Sequence, residues 1–232
     1  MMAERGDFVA VHEPFSRAEV FGEVDVGGRG VGTVPEAIEG LRDLAATESV
    51  FVKETTDRRF PDVLADRRFL AEDARHTFLI RHPRETIRSY LALRPGAASH
   101  EIGFEAQYEM YTEVRRVTGR DPLIVDAGDL MDRPADTIKA YCAHVGIDFR
   151  PEALTWQPSD RVDWRQFGRW HTAAAASSGL AQTPGRDDTD DDTDEDTDAE
   201  RHPMLDTYLA YHLPFYQRLY RRRLRVQECR NQ

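Results

Sequence analysis

Four short apolar runs, each ending on a polar or charged residue, constrain the fold of this 232-residue chain more than any other feature. They are Phe8–Val11 before His12 and Glu13, Val50–Val52 before Lys53, Thr77–Ile80 before Arg81, and Pro122–Val125 before Asp126. Runs this short and this uniformly apolar read as strands buried on both faces. Helical patterns lie between and after them. Pro35 to Ala46 carries Ile38, Leu41, Leu44 and Ala45 on one face, and further helices are predicted over Pro61–Leu70, Arg84–Leu93, Phe104–Thr118 and 134–145. Pro83 opens the third of these and Gly146 closes the last. Short strands alternating with helices predict an α/β fold with a parallel sheet covered on both faces. Ligands of such sheets bind at the carboxyl ends of the strands. His12, Glu13, Lys53, Arg81 and Asp126 are therefore expected to line one crevice.

The rest of the chain is less regular. Residues 17–33 hold Gly22, Gly27, Gly28, Gly30 and Gly32 and read as a mobile surface segment. Order weakens after Trp156 and returns at Pro203, ahead of a terminal helix from Pro214 to about Val226. One domain spans residues 1–232, with a disordered acidic insertion at about 183–200 that has too little apolar surface to fold. Ten acidic residues and no Lys or Arg lie between Asp187 and Glu200; setting them aside takes the net charge from −11 to −1. The body is thus nearly neutral, which gives no reason to expect a nucleic-acid partner. No apolar run approaches the roughly 18–20 residues that span a bilayer. Met1–Phe15 has no signal-peptide pattern, so no membrane partner and a cytoplasmic location are expected. Cys142 and Cys229 have no metal-ligand spacing and read as reduced thiols; no metal is expected.

The segment Arg81-His82-Pro83 through Ser89-Tyr90 has the strongest chemical signal. An Arg at a strand end offers a planar fork of donors that suits a phosphate, and the following helix start adds amide donors and a positive dipole end. Ser89 adds a hydroxyl. An ordinary basic helix start accounts for the same residues. Lysine occurs only at Lys53 and Lys139 in a chain rich in Arg, which singles out Lys53 at its strand end.

Arg-x-Pro followed by Ser eight residues after the Arg, as in Arg81, Pro83 and Ser89, resembles the 3′-phosphate motif of PAPS-dependent sulfotransferases. His12–Phe15, Val50–Lys53, Leu123–Val125, Tyr216–Tyr220, and Trp170-His171 followed by Ser177, Ser178 and Gly179 are similar to segments of bacterial members in the same order. The resemblance implies a three-layer, parallel-sheet, P-loop-like sulfotransferase fold. It also implies in-line transfer of a sulfuryl group from PAPS to a hydroxyl or amine of a small-molecule acceptor, leaving PAP. By the same resemblance Arg81 and Ser89 hold the nucleotide 3′-phosphate, and Ser177, Ser178 and Gly179 close over it. Trp170 walls the acceptor pocket, while Tyr108 and Tyr111 read better as core. Such transfer needs alignment, charge stabilisation and a base. Lys53 can supply the charge. Many animal and plant members carry Lys-Thr-His at a comparable strand end; here Lys53-Glu54-Thr55 stands instead, so Glu13 or His12 is expected to be the base. A Gly-x-x-x-x-Gly-Lys-Ser/Thr kinase loop is absent from the sequence.

The family's opening strand and its Pro-x-Ser-Gly-Thr/Ser-Thr-like loop, which holds the 5′-phosphosulfate, have no counterpart in the sequence. Met1 to Asp7 reads as the last turn of the helix that follows that loop, with Gly6 at its cap. The fold expectation is therefore a sulfotransferase fold with its N-terminal strand and P-loop missing. The competing expectation is a non-catalytic nucleotide-binding or interaction protein of the same fold. Unpaired strand edges are costly, so a form extended upstream through a strand and loop is expected to melt at a higher temperature than this chain. An equal or lower melting temperature would count against that expectation.

Overall fold

A computed structural model of the chain describes residues 1–158, 168–180 and 204–226. All four apolar runs are strands, each within a residue of its expected bounds: β1 (Val9–His12), β4 (Val50–Lys53), β5 (Thr77–Ile80) and β6 (Leu123–Asp126). Between β1 and β4 come α1 (Pro14–Phe21), β2 (Val24–Val26), β3 (Arg29–Val31) and α2 (Val34–Ala45). Between β4 and β6 come α3 (Pro61–Ala65), α4 (Pro83–Leu93) and α5 (Phe104–Thr118). After β6 follow α6 (Ala127–Asp132), α7 (Pro134–Val145), α8 (Gly168–Ala176) and α9 (Leu205–Tyr220). The acidic stretch 183–200 and Cys229 lie outside the described residues, while Cys142 is a buried thiol. No described helix is long and apolar enough to cross a membrane.

Local chemistry accounts for the helix starts. Thr33 caps α2 in a reciprocal box: its hydroxyl accepts from the Glu36 amide, and Glu36 accepts from the Gly32 and Thr33 amides. Gly146, at φ 74°, closes α7 by donating its amide to the Cys142 carbonyl.

Three expectations about single elements need correction. Residues 17–33 are not a loose segment. They contain the end of α1 and a hairpin whose turn residues Gly27 and Gly28 both have positive φ, the conformation tight hairpins favour. Val24, Val26 and Val31 on that hairpin are buried with α2, and their apolar alternation outweighs the glycine content. The helix expected over 61–70 stops at Ala65. There Asp66 leaves helical geometry, accepts from the Phe69 amide and binds the Arg42 guanidinium. The terminal helix begins at Leu205 and ends at Tyr220, with Pro214 inside it. Leu205, Tyr208, His212, Tyr216 and Leu219 bury one face of α9 at helical spacing, which holds the helix together through the proline.

The parallel strands form two separate pairs instead of one sheet. β1 pairs with β4, with His12 opposite Lys53, and β5 pairs with β6, with Ile80 opposite Asp126. Both pairs contribute to one hydrophobic core, through Val11 on one side and Phe78, Ile80 and Ile124 on the other. The far side of β6 is closed by the Leu224 amide, which donates to the Ile124 carbonyl at 2.7 Å. Among the described residues β4 pairs only with β1 and β5 only with β6, so each of these two strands has one edge without a strand partner. Leu79, midway along β5 between buried Phe78 and Ile80, is 58% exposed. Parallel strands are normally covered on both faces, so this part of β5 is open in an unusual way.

His212 is completely buried, and its Nε2 donates to the Ser99 carbonyl at 2.8 Å. Burial holds its pKa, and that of His76, below the ordinary imidazole value. The unfolded chain therefore binds more protons than the fold below a pH of about 6.5. Stability is expected to be fully present above that pH and to decline as pH falls through it toward the lowered folded values. Thermal melting between pH 7.5 and 5.5 checks this: the midpoint should drop on acidification, and the drop should be smaller in His212→Gln.

Candidate functional site

The register of the β1–β4 pair builds the first part of the site. With His12 opposite Lys53, the next amide, that of Glu13, donates to the Lys53 carbonyl at 2.7 Å. The chain then turns from strand into α1 within one residue. Pro14 is at the first position of α1, and a residue before proline is hindered from the right-handed helical region. Glu13 adopts φ 50° and ψ 51°, the left-handed region, and no other described non-glycine residue has a positive φ. This conformation costs about 1–2 kcal/mol. Strain of this kind concentrates at functional sites.

The turn aims the Glu13 carboxylate at Lys53. Glu13 is buried and its Oε1 pairs with Lys53 Nζ; the Lys53 side chain remains 44% exposed. His12 Nε2 lies 3.6 Å from the same carboxylate oxygen and 3.3 Å from His171 Nε2, which α8 brings in. The rings of His12 and His171 meet edge to face, with centroids 4.9 Å apart.

Glu54 is the residue that sequence reasoning missed. Its carboxylate accepts from the Phe15 and Ser16 amides (2.8 and 3.2 Å), the Ser16 hydroxyl (2.7 Å) and the Thr55 amide (2.9 Å). It thereby caps the start of α1, where unsatisfied amides and the helix dipole favour an anion. Desolvation raises its pKa, against the pull of these donors. Because Glu54 serves the helix, the Glu13 carboxylate is available to Lys53. The sequence signal was present: Glu54 stands next to Lys53, where the resemblance leads one to expect another residue.

The second part of the site is the strand–turn–helix from β5 to α4. Arg81 is half-exposed at the end of β5, and its Nε donates to Glu85 Oε2 at 2.7 Å. Ser89 is exposed on α4. Trp170 of α8 is 39% exposed and lies against Tyr90, with ring centroids 4.8 Å apart. Helix α8 therefore touches both parts, through His171 to His12 and through Trp170 to Tyr90.

The other expected residues are engaged elsewhere. Ser177 Oγ donates to the Ala174 carbonyl and accepts from Trp156 Nε1; the Ser178 carbonyl accepts from the Trp156 amide, and Gly179 bridges Thr155. These contacts join Ser177–Gly179 to Leu154–Trp156. Asp126 is buried, caps α6 through the Gly128 and Asp129 amides, and accepts from Tyr216 Oη at 3.1 Å. It is structural, not open to a crevice. Tyr111 is core: its hydroxyl donates to Asp121, and burial pushes its pKa up to about 12. Tyr108 packs on the same core.

The sulfotransferase domain family matches the chain over residues 1–219. The chain belongs to that family. Two curated relatives from Arabidopsis thaliana are similar over 116 residues: branched-chain-amino-acid aminotransferase-like protein 2 at 27% identity and its protein 1 counterpart at 26%. Each alignment covers 48% of this chain and 20% of the relative, so the chain spans about a fifth of the length of these curated relatives. No solved structure matches. In this sulfotransferase-family chain His12, Glu13 and Lys53, and separately Arg81, stand at carboxyl ends of parallel strands, as ligand sites of α/β sheets do.

The strain at Glu13 is directly testable. Glycine adopts positive φ without penalty, so Glu13→Gly is expected to be more stable than Glu13→Ala by about 1 kcal/mol. Urea denaturation of the two variants checks this; an alanine variant as stable as the glycine variant would mean the turn is unstrained.

Proposed function

We propose that this chain is a sulfotransferase that passes a sulfuryl group from PAPS, in line, to a hydroxyl or amine of a small-molecule acceptor. The observation that carries the reading is the buried, left-handed Glu13, whose carboxylate is aimed at Lys53 at the paired ends of β1 and β4. Glu13 takes the acceptor proton, and Lys53 neutralises charge on the transferring group and the leaving oxygen. Glu13 is preferred over His12 as the base because His12 Nε2 is turned toward His171. Arg81 and Ser89 take the 3′-phosphate. The exposure of both residues, Arg81 just before α4 and Ser89 two turns along it, supports this assignment. An incoming phosphate must displace Glu85 from Arg81. Trp170 borders the acceptor, and Ser177–Gly179 reach the nucleotide only if they leave their contacts with Leu154–Trp156.

The fold reading is a single three-layer, P-loop-like domain. A further parallel strand with a 5′-phosphosulfate loop belongs on the unpaired edges of β4 and β5. Those edges, and the uncovered Leu79 side chain, support that reading.

Two measurements test the function. Calorimetry with PAP should give binding that Arg81→Ala weakens about tenfold or more, the value of a charge-assisted hydrogen bond. Transfer of labelled sulfate from PAPS to a panel of alcohols and amines should fall about 10²–10⁴-fold in Glu13→Gln, with PAP affinity unchanged. Full transfer by Glu13→Gln would remove Glu13 from the mechanism. PAP binding indifferent to Arg81 would remove the proposed nucleotide site.

A further inference from the structure

The geometry points to a divalent transition-metal site of the zinc class, formed by His12 Nε2, His171 Nε2 and a Glu13 carboxylate oxygen. These three atoms all lie within 4.8 Å of one another. The two imidazole nitrogens are 3.3 Å apart. Two nitrogens each at about 2.0–2.1 Å from a tetrahedral zinc ion are separated by about 3.3–3.4 Å, so the histidine pair already has the required spacing. Glu13 Oε1 is 3.6 Å from His12 Nε2 and needs to move only a few tenths of an ångström relative to that nitrogen. The longest separation in the cluster is within 4.8 Å, so the carboxylate must close on His171 Nε2 by about an ångström, a movement a side-chain rotation supplies. Two imidazoles and one carboxylate suit zinc better than magnesium or calcium, which prefer oxygen ligands. Three protein ligands leave a fourth position open, as in reactive zinc sites.

The obstacle is Lys53, whose ammonium pairs with the same Glu13 oxygen. Its side chain is 44% exposed and can swing into water when a dication takes its place. Lys53 and the metal are thus alternative partners of Glu13. A bound metal withdraws Glu13 from proton transfer. The site itself does not depend on the sulfotransferase reading, because binding can be measured without any substrate.

The test is titration of tag-free, metal-stripped chain with Zn²⁺ against a chromophoric chelator at pH 7.5. One equivalent should bind, and Zn²⁺ should raise the wild-type melting temperature, as a ligand of the native state does. His12→Ala and His171→Ala should each weaken binding at least tenfold, and the exposed His144→Ala on α7 should leave it unchanged. Lys53→Met should tighten it by removing the competing ammonium. Absence of stoichiometric binding to the wild-type chain, or an affinity that neither histidine variant alters, would overturn the proposal. The wild-type melting shift keeps the test decisive if a histidine variant fails to fold.

Discussion

The parallel pairing of β1 with β4 is the constraint on which the site depends. It fixes His12 opposite Lys53 and joins the Glu13 amide to the Lys53 carbonyl. Pro14 hinders right-handed helical geometry at Glu13, which turns the chain from strand to helix within one residue in a left-handed backbone conformation. A register slip by one residue would invert every side chain along β1 and separate the carboxylate from the ammonium. The apolar side chain of Val11 resists that slip because it is buried in the common core. Glu54 completes the arrangement by satisfying the first amides of α1, so that the strained turn is held on both sides.

The two parallel pairs are joined by helices and a shared core, not by a ladder. Helix α9 lies against α4, α5, β5 and β6, and its buried His212, Tyr208 and Tyr216 hydrogen-bond to Ser99, Ala97 and Asp126. Burial of polar groups is costly unless they are paired. These three bonds tie α9 to the end of β6 and to the turn after α4, while His212 Nδ1 is buried without a hydrogen-bond partner among the described residues. Helix α8 links the two strand pairs in a different way, since consecutive residues Trp170 and His171 touch α4 and β1. Any movement of α8 therefore changes the contacts of His12 and of Tyr90 at once.

Much of this was legible in the sequence. The apolar runs ending in His12, Lys53, Arg81 and Asp126 gave the parallel strands because their composition admits few other structures. The grouping of His12, Glu13 and Lys53 followed from their positions at strand ends. Asp126 shares that position yet is consumed by a helix cap and Tyr216, and nothing in its neighbourhood in the chain reveals Tyr216, 90 residues away. The hairpin over 24–31 was obscured by glycines that in fact supply its turn. His171 meets His12 across 159 residues of sequence, so no local spacing rule could join them. The division of the strands into two pairs was likewise hidden, because apolar composition specifies burial and not the neighbouring strand.

The most direct measurement is a crystal structure of the chain with PAP bound. The account predicts the 3′-phosphate on Arg81 and Ser89, with the Arg81–Glu85 pair broken, and the 5′-phosphate directed toward Lys53. PAP bound away from Arg81, or lying with its 5′-phosphate turned away from Lys53 and Glu13, would contradict it.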